Sequence, residues 1–143
     1  MIEIDGSLYE GGGQTIRIGV AMAIILKAKT KISKIRAGRK TPGLGNQHLA
    51  GLKLVEELCG GNFTAEHEEQ IRLGSQEILI DPENFKTNEK TEFKINCGSA
   101  GSTALIGQIS IPIAIWMKNK ISIKIIGGTD ADFAPPIDIQ KEV

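Results

Sequence analysis

The stretch Glu10-Gly11-Gly12-Gly13-Gln14-Thr15-Ile16-Arg17 sets how the rest of the chain is read. Ahead of it, Ile2-Glu3-Ile4-Asp5 alternates apolar and polar residues, the period of a short strand. Behind it, residues 16–26 are almost unbroken apolar sequence, long enough for a buried helix. Three consecutive glycines between strand and helix let the backbone take positive φ and approach a ligand closely. A helix start offers unpaired N–H groups and the positive end of a dipole, which suit an anion. Gln14 and Arg17 are three residues apart and share one face of the first turn. Glu10 can reach over the same opening. The same glycines also suit a plain tight connection, so both readings stand at this level. The run is not a P-loop, which ends in Gly-Lys-Ser/Thr, and it does not fit G-x-G-x-x-G.

With 143 residues, the chain has room for one domain with a real core, or for about one and a half smaller units. Its formal net charge is zero, so any nucleic-acid site must be a local basic patch. Cys59 and Cys97 lie in apolar contexts without metal-ligand spacing and read as reduced core thiols. Met1 leads directly into a strand, with no signal-peptide pattern. The apolar runs at residues 16–26 and 109–117 are too short to span a bilayer. A cytoplasmic protein, or a nuclear one in a eukaryote, is expected, without membrane association.

After the first helix, Ile32-Ser33-Lys34-Ile35 reads as a second strand. It is followed by the basic loop Arg36-Ala37-Gly38-Arg39-Lys40-Thr41-Pro42-Gly43. A second helix runs from Asn46 or Gln47 to about Leu58, with Leu49, Leu52, Val55 and Leu58 on one face. Gly60-Gly61 stops it. Residues 62–65 are a candidate third strand, and Glu77-Ile78-Leu79-Ile80-Asp81 is a fourth, ended by Pro82. Residues 83–90 read as a linker.

The pattern then starts again. Phe93-Lys94-Ile95-Asn96-Cys97 is a strand, Gly98-Ser99-Ala100-Gly101-Ser102 a small-residue turn, and residues 103–117 an apolar helix. Pro112 is expected to kink that helix or break its hydrogen bonding. A further strand leads to Gly127-Gly128-Thr129-Asp130, and Pro135-Pro136 would open another helix. The expectation is an α/β protein of the α+β type built from repeated βαβαββ units. Each unit would be a mixed four-stranded sheet with two helices on one face. Residues 1–85 form the first unit. Residues 91–143 form the second, incomplete before its second helix ends. Its uncovered apolar surface implies self-association or a partner, such as a C-terminal half.

Arg36, Arg39 and Lys40 lie in a loop at the carboxyl end of a strand, as the glycine turn does. If these strands are parallel neighbours, both loops open on the edge where α/β sheets bind ligands. Arg17, Arg36 and Arg39 would then clamp phosphate oxygens. The alternative is that they pair with surface carboxylates. Gln47-His48 opens the second helix just beyond, and a histidine there can donate to a phosphate. His67, among Glu66, Glu68 and Glu69, reads as solvated. Asp130 either caps a turn or holds a metal or ribose hydroxyls. No catalytic triad, zinc spacing or glycosidase carboxylate pair can be assigned.

Taken together, these segments resemble the RNA 3′-terminal phosphate cyclases in order and spacing. The resemblance rests on Ile4-Asp5-Gly6, Glu10-Gly11-Gly12-Gly13-Gln14 with Arg17, and Ile35-Arg36-Ala37-Gly38-Arg39. It continues through Pro42-Gly43-Leu44, Gln47-His48-Leu49, Gly74-Ser75, Gly98-Ser99-Ala100-Gly101-Ser102, Gly127-Gly128-Thr129-Asp130 and Ala134-Pro135-Pro136. It implies repeated four-stranded, two-helix units. It also implies ATP-dependent conversion of an RNA 3′-phosphate to a 2′,3′-cyclic phosphate through adenylylated intermediates, with a divalent metal, Mg or Mn. Carried over residue by residue, Glu10, Arg17, Arg36, Arg39 and His48 match the catalytic and phosphate neighbourhood. Gln14 and Gln47 match the same neighbourhood and are candidate cofactor-binding residues, as are Gln108, Asp130 and Pro135, which match the nucleotide-side region. Glu10 is the candidate metal ligand.

The resemblance places the family's nucleophilic histidine toward the C-terminus of a much longer chain, in a region absent here. Tyr9 stands where family members often carry glycine. A second reading is therefore a non-catalytic, cyclase-like RNA-binding protein of ribosomal RNA processing. A third, an enolpyruvyl transferase half, rests on shared fold alone.

Overall fold

The computed structural model describes residues 1–65, 69–86, 89–132 and 134–135. The alternating opening residues form β1 (Ile2–Asp5), and the apolar run becomes α1 (Gly13–Ile25). The chain returns as β2 (Thr30–Ser33), which pairs with β1 in parallel, Ile2 opposite Thr30 and Asp5 opposite Ser33. α2 (Asn46–Cys59) ends at Gly60, whose φ of 63° puts it in the left-handed region that glycine enters without steric cost. There its amide donates to the Glu56 carbonyl. β3 (Ile78–Ile80) pairs antiparallel to β2, giving a three-stranded sheet in the order β1-β2-β3. β4 (Glu92–Asn96), α3 (Thr103–Met117) and β5 (Ser122–Ile126) follow, and β4 and β5 form a separate parallel pair.

The fold is therefore mixed α/β with two small sheets rather than two four-stranded ones. The expected third strand at residues 62–65 is reduced to isolated bridges at Thr64, one opposite Leu79 on the outer edge of β3 and one opposite Gln70. The cause lies one residue earlier. The Phe63 amide donates to the Glu56 carboxylate at 2.7 Å instead of joining a ladder. Only Thr64 exchanges hydrogen bonds with Leu79, at 3.2 and 2.7 Å. Among the described residues the second sheet has no antiparallel strand. The helix expected to open at Pro135-Pro136 falls outside the described residues from position 136 onward.

α3 continues through Pro112, which has no N–H to give its hydrogen bonding. That residue lies on the exposed side of the helix. A proline there forgoes one N–H while its ring meets solvent rather than packed neighbours. The expected linker is also partly ordered. Asp81 caps a short 3-10 turn at Pro82–Asn84, and Phe85 packs edge-on against Phe63 with ring centroids 5.8 Å apart. One apolar cluster joins both halves: Val20 and Ile24 of α1, Leu52 and Leu58 of α2, Phe93 of β4, and Ile106 and Ile113 of α3 are all buried. At ~25 cal/mol per Å2 of apolar surface, this burial is the main term favouring the fold. Among the described residues, no helix is long and apolar enough to cross a membrane.

Among the described residues Glu56 is the buried side chain that carries an ionisable acid, a carboxyl. Burial pushes its carboxyl up, and the Phe63 amide and Lys53 pull it back down. Replacing Glu56 by Ala strands the Phe63 N–H, and a buried unsatisfied donor costs about 1–3 kcal/mol. Urea unfolding should show Glu56→Ala destabilised on that scale. Glu56→Gln, which keeps an acceptor oxygen, should lose less. Equal losses for both variants would contradict this role.

Candidate anion-binding site

Because β1 and β2 are parallel neighbours, the segments that leave their carboxyl ends emerge on the same edge of the sheet. The residue before each helix that begins there has no side chain to cap it: Gly12 precedes α1 and Gly45 precedes α2. The first-turn amides of both are left for another partner. The two starts come close together at Gly13. A methyl group built there would run into His48 Nε2 and would stand 2.9 Å from Arg17 Nη1. One built on Gly12 would lie 3.6 Å from the terminal nitrogen of Arg39, and one on Gly45 3.6 Å from Arg36 Nη1. Arg17, Arg36, Arg39 and His48 thus surround the two glycine-led helix starts.

None of these three arginines has an acidic partner among the described residues. Arg17 is half-buried, and its Nε donates to Gln108 Oε1 at 3.0 Å. Burial pushes its guanidinium down. Arg36 donates to the Gly43 carbonyl at 3.0 Å, from a backbone held at φ 53°. Arg39 is exposed. The surface-pairing alternative for these side chains is not what the structure places there. The local charge pattern, a signal the sequence carries openly, explains why. Within residues 11–55 every charged side chain is Lys or Arg, although the whole chain is neutral.

His48 is held by its first hydrogen bond. The Gly45 amide donates to Nδ1 at 3.1 Å, so the lone pair on that nitrogen is engaged. The neutral ring then carries its proton on Nε2, the nitrogen that faces Gly13 and Arg17. Its pKa is pushed down to about 4, first by burial and then by the Arg36 and Arg17 charges. The arrangement can donate hydrogen bonds from several directions to one anion. It offers no histidine lone pair.

The remaining predicted residues sit around this centre. Gln14 is exposed on the first turn of α1, and Glu10 is exposed just before the triglycine turn, without a side-chain partner among the described residues. Gln47 accepts from the Ser102 amide at 2.9 Å, joining the first turn of α2 to the start of α3. Gln108 is tied to Arg17. Both glutamines therefore join the two halves of the chain. Their partners lie 55 and 91 residues away in sequence, too far for any local pattern to reveal. Asp130 is exposed and Pro135 half-buried on the loop after β5, which Gly128 pins to Gly101 and Thr103. No described contact connects Asp130 or Pro135 to the arginines. No three His, Cys, Asp or Glu side chains among the described residues are grouped to hold a metal, and Glu10 alone does not make such a site. His67 lies outside the described residues.

Comparison with known proteins matches residues 8–143 to the sequence profile of RNA 3′-terminal phosphate cyclases. The chain belongs to the RNA 3′-terminal phosphate cyclase family. It is 38% identical over 138 residues to the RNA 3′-terminal phosphate cyclase of Pyrococcus abyssi, covering 96% of this chain and 38% of the relative. It is 38% identical over 143 residues to that of Methanococcoides burtonii, covering all of this chain and 41% of the relative. To that of Nitrosospira multiformis it is 40% identical over 138 residues, covering 96% and 37%. The chain thus spans about two-fifths of the length of the curated relatives it matches. Within this cyclase-family chain, Tyr9 has φ 56° and a fully exposed ring. That backbone region favours glycine, which accounts for a glycine being the expected residue there.

Three outcomes follow from this geometry. A histidine pKa lowered in the fold contributes stability fully above about 6.5, and that contribution is lost as pH falls toward about 4. The loss amounts to about 3 kcal/mol, and His48→Gln should flatten the corresponding slope in urea unfolding between those pH values. Saturating inorganic phosphate should raise the His48 pKa, read from imidazole NMR shifts, by offsetting the two arginine charges. An unmoved pKa would argue against an anion at this position. Separately, Gly13→Ala should displace the imidazole and weaken phosphate binding at least about tenfold, while α1 itself gains helix propensity of roughly 0.5–1 kcal/mol.

Proposed function

We propose that this chain forms the phosphate-gripping part of an RNA 3′-terminal phosphate cyclase. In that reading the site holds the terminal phosphate of an RNA while ATP supplies the AMP that activates it. The observation that carries the proposal is the convergence of two uncapped helix starts, three arginines without acidic partners and a neutral His48. Arginine forks suit phosphate oxygens, and amides at helix starts add fixed positive dipoles. Such preorganised charge is also what stabilises a phosphoryl group as negative charge builds on it. Once AMP activates the 3′-phosphate, the neighbouring 2′-hydroxyl attacks phosphorus and AMP leaves, closing the cyclic phosphate. The proposed role of Arg17, Arg36, Arg39 and His48 is to orient the phosphate for that attack.

Two chain segments, β1–α1–β2 and β4–α3–β5, each carry a helix between parallel strands, which supports the repeated-unit reading. Gln14, Gln47, Gln108, Asp130 and Pro135 are proposed on the nucleotide side by family resemblance. The bound Nδ1 of His48 argues against that residue as the nucleophile that takes AMP. The cyclase-like, non-catalytic RNA-binding reading shares the same site and differs only in chemistry.

Fluorescence anisotropy with a short RNA ending in 3′-phosphate tests the site directly. Its binding should be at least about tenfold tighter than that of the same RNA ending in a hydroxyl, and should weaken as salt rises. Arg39→Ala should reduce the preference. Equal affinity for both ends would overturn the proposal. Intact-mass measurement after incubation with ATP and Mg is expected to show no AMP adduct. An adduct on His48 would overturn its assignment as a hydrogen-bond donor.

A further inference from the structure

The loop from β1 to α1 is tightly stitched. The Ser7 amide and hydroxyl both donate to Asp5 Oδ1, and the Gly11 amide donates to the Leu8 carbonyl at 3.1 Å. A β-carbon built on Gly11 would stand 3.6 Å from the carbonyl oxygens of Gly6 and Ser7, so the chain doubles back on itself. Tyr9 sits inside this turn with φ 56°. That backbone is unfavourable for any residue with a Cβ. The ring is fully exposed, so no packing within the fold offsets the cost. Tyr9 is also the one Phe, Tyr or Trp in residues 1–62, the part of the chain that carries the arginines and His48.

The turn brings this ring to the edge of the anion site. Gly12 is three residues further on, and a β-carbon built there would lie 3.6 Å from the terminal nitrogen of Arg39. Three residues span at most about 11 Å, and the turn shortens that. One nucleotide and one tyrosine side chain together bridge such a gap. The charges set which part of the nucleotide goes where. Exposed Glu10 stands between Tyr9 and the triglycine turn, without a side-chain partner among the described residues. Asp5, at the foot of the loop, is paired with Lys34. The Glu10 carboxylate turns a phosphate away toward the arginines. The uncharged base is then the part of an RNA end that can approach Tyr9.

We propose that Tyr9 is a stacking platform for the 3′-terminal base of the RNA whose phosphate the anion site holds. The proposal rests on reading that site as the grip on an RNA 3′-phosphate. Every base has a π-face, so stacking positions the terminal nucleotide without selecting its sequence. The ribose is then held at both ends, by its base on Tyr9 and by its phosphate on the arginines. This limits the swing of the 2′-hydroxyl about the phosphorus. Tyr9 thereby acts as a binding and positioning residue.

Tyr9 is the only tyrosine, so its ring protons are read by NMR without ambiguity. A trinucleotide ending in adenosine 3′-phosphate should move them upfield, and the same ligand with an abasic 3′ residue should not. The wild type should bind the abasic ligand about tenfold more weakly, and Tyr9→Gly should bind both alike. Tyr9→Gly should keep or raise the urea midpoint, because glycine relieves the backbone. Tyr9→Leu, which keeps a Cβ but has no π-face, should lose the same tenfold, and Tyr9→Phe should retain the wild-type affinity. Inorganic phosphate should bind the wild type and Tyr9→Gly equally. A wild type that prefers neither a 3′-phosphate nor a 3′-hydroxyl end removes the phosphate-grip reading and this proposal with it. A wild type that prefers the phosphate end, but binds abasic and adenosine-ended ligands alike, overturns the role of Tyr9 alone. ATP affinity that falls in Tyr9→Gly while RNA affinity holds assigns the ring to the adenine of ATP and overturns it as well.

Discussion

The missing side chain at Gly13 and the parallel pairing of β1 with β2 together determine what this chain can bind. Parallel pairing sends the first glycine turn and the basic loop out of the same edge of the sheet. The absence of a Cβ then lets the start of α2 close in until His48 rests over the first residue of α1. A side chain at that position would keep the two helix starts apart. The arginines would then sit around an open gap in place of a common centre. One backbone position thus couples the topology of the sheet to the chemistry at its edge.

The price of that closeness is electrostatic. Arg17 and Arg36 stand beside a half-buried imidazole, and no carboxylate among the described residues relieves them. The fold answers by keeping His48 neutral, through burial and through a hydrogen bond that commits one ring nitrogen. Elsewhere, lysines find acids in the ordinary way: Lys34 pairs with Asp5 at 2.7 Å and Lys29 with Asp81 at 2.6 Å. Those exposed pairs contribute little to stability. The arginines find no such partner, because residues 11–55 carry no Asp or Glu. Asp5 lies on the strand that leads into the glycine turn, yet it is bound to Lys34 and Ser7 and turned to that use.

Much of this was legible in the residues. Alternation gave β1 and β4, and the leucine spacing gave α2 almost to its last residue, with the glycine stop at Gly60. The nearness of the glycine turn, the basic loop and Gln47-His48 was readable because strand ends are where such loops gather. Where the sequence misled, a long-range hydrogen bond was the reason for residues 62–65. They have strand-like composition, but Glu56 takes the amide that would begin their ladder. Pro112 removes one amide from the hydrogen bonding of α3, and the helix continues past it. The acid-free run at residues 11–55 needed only a charge count by segment, which the whole-chain balance conceals. The roles of Gln47 and Gln108 in joining the halves depend on packing between segments distant in sequence.

The three helices share an orientation. α1 and α2 begin together at Gly13, and the Gln47–Ser102 bond brings the start of α3 to the same end. Their far ends meet again at Ile24, Leu58 and Met117, around one cavity. Peptide dipoles aligned along parallel helices add instead of cancelling. The arginines lie at the end the dipoles make positive. A molecule with no net charge is thereby given a pronounced electrical axis. A polyanion at a distance meets no overall attraction, but it meets a torque, and the molecule turns its glycine end toward the incoming charge. Such a field falls off faster than that of a charged protein, and at cellular salt it is confined to roughly a Debye length of 8 Å. It acts on the last approach, deciding which end arrives first rather than how often the two meet.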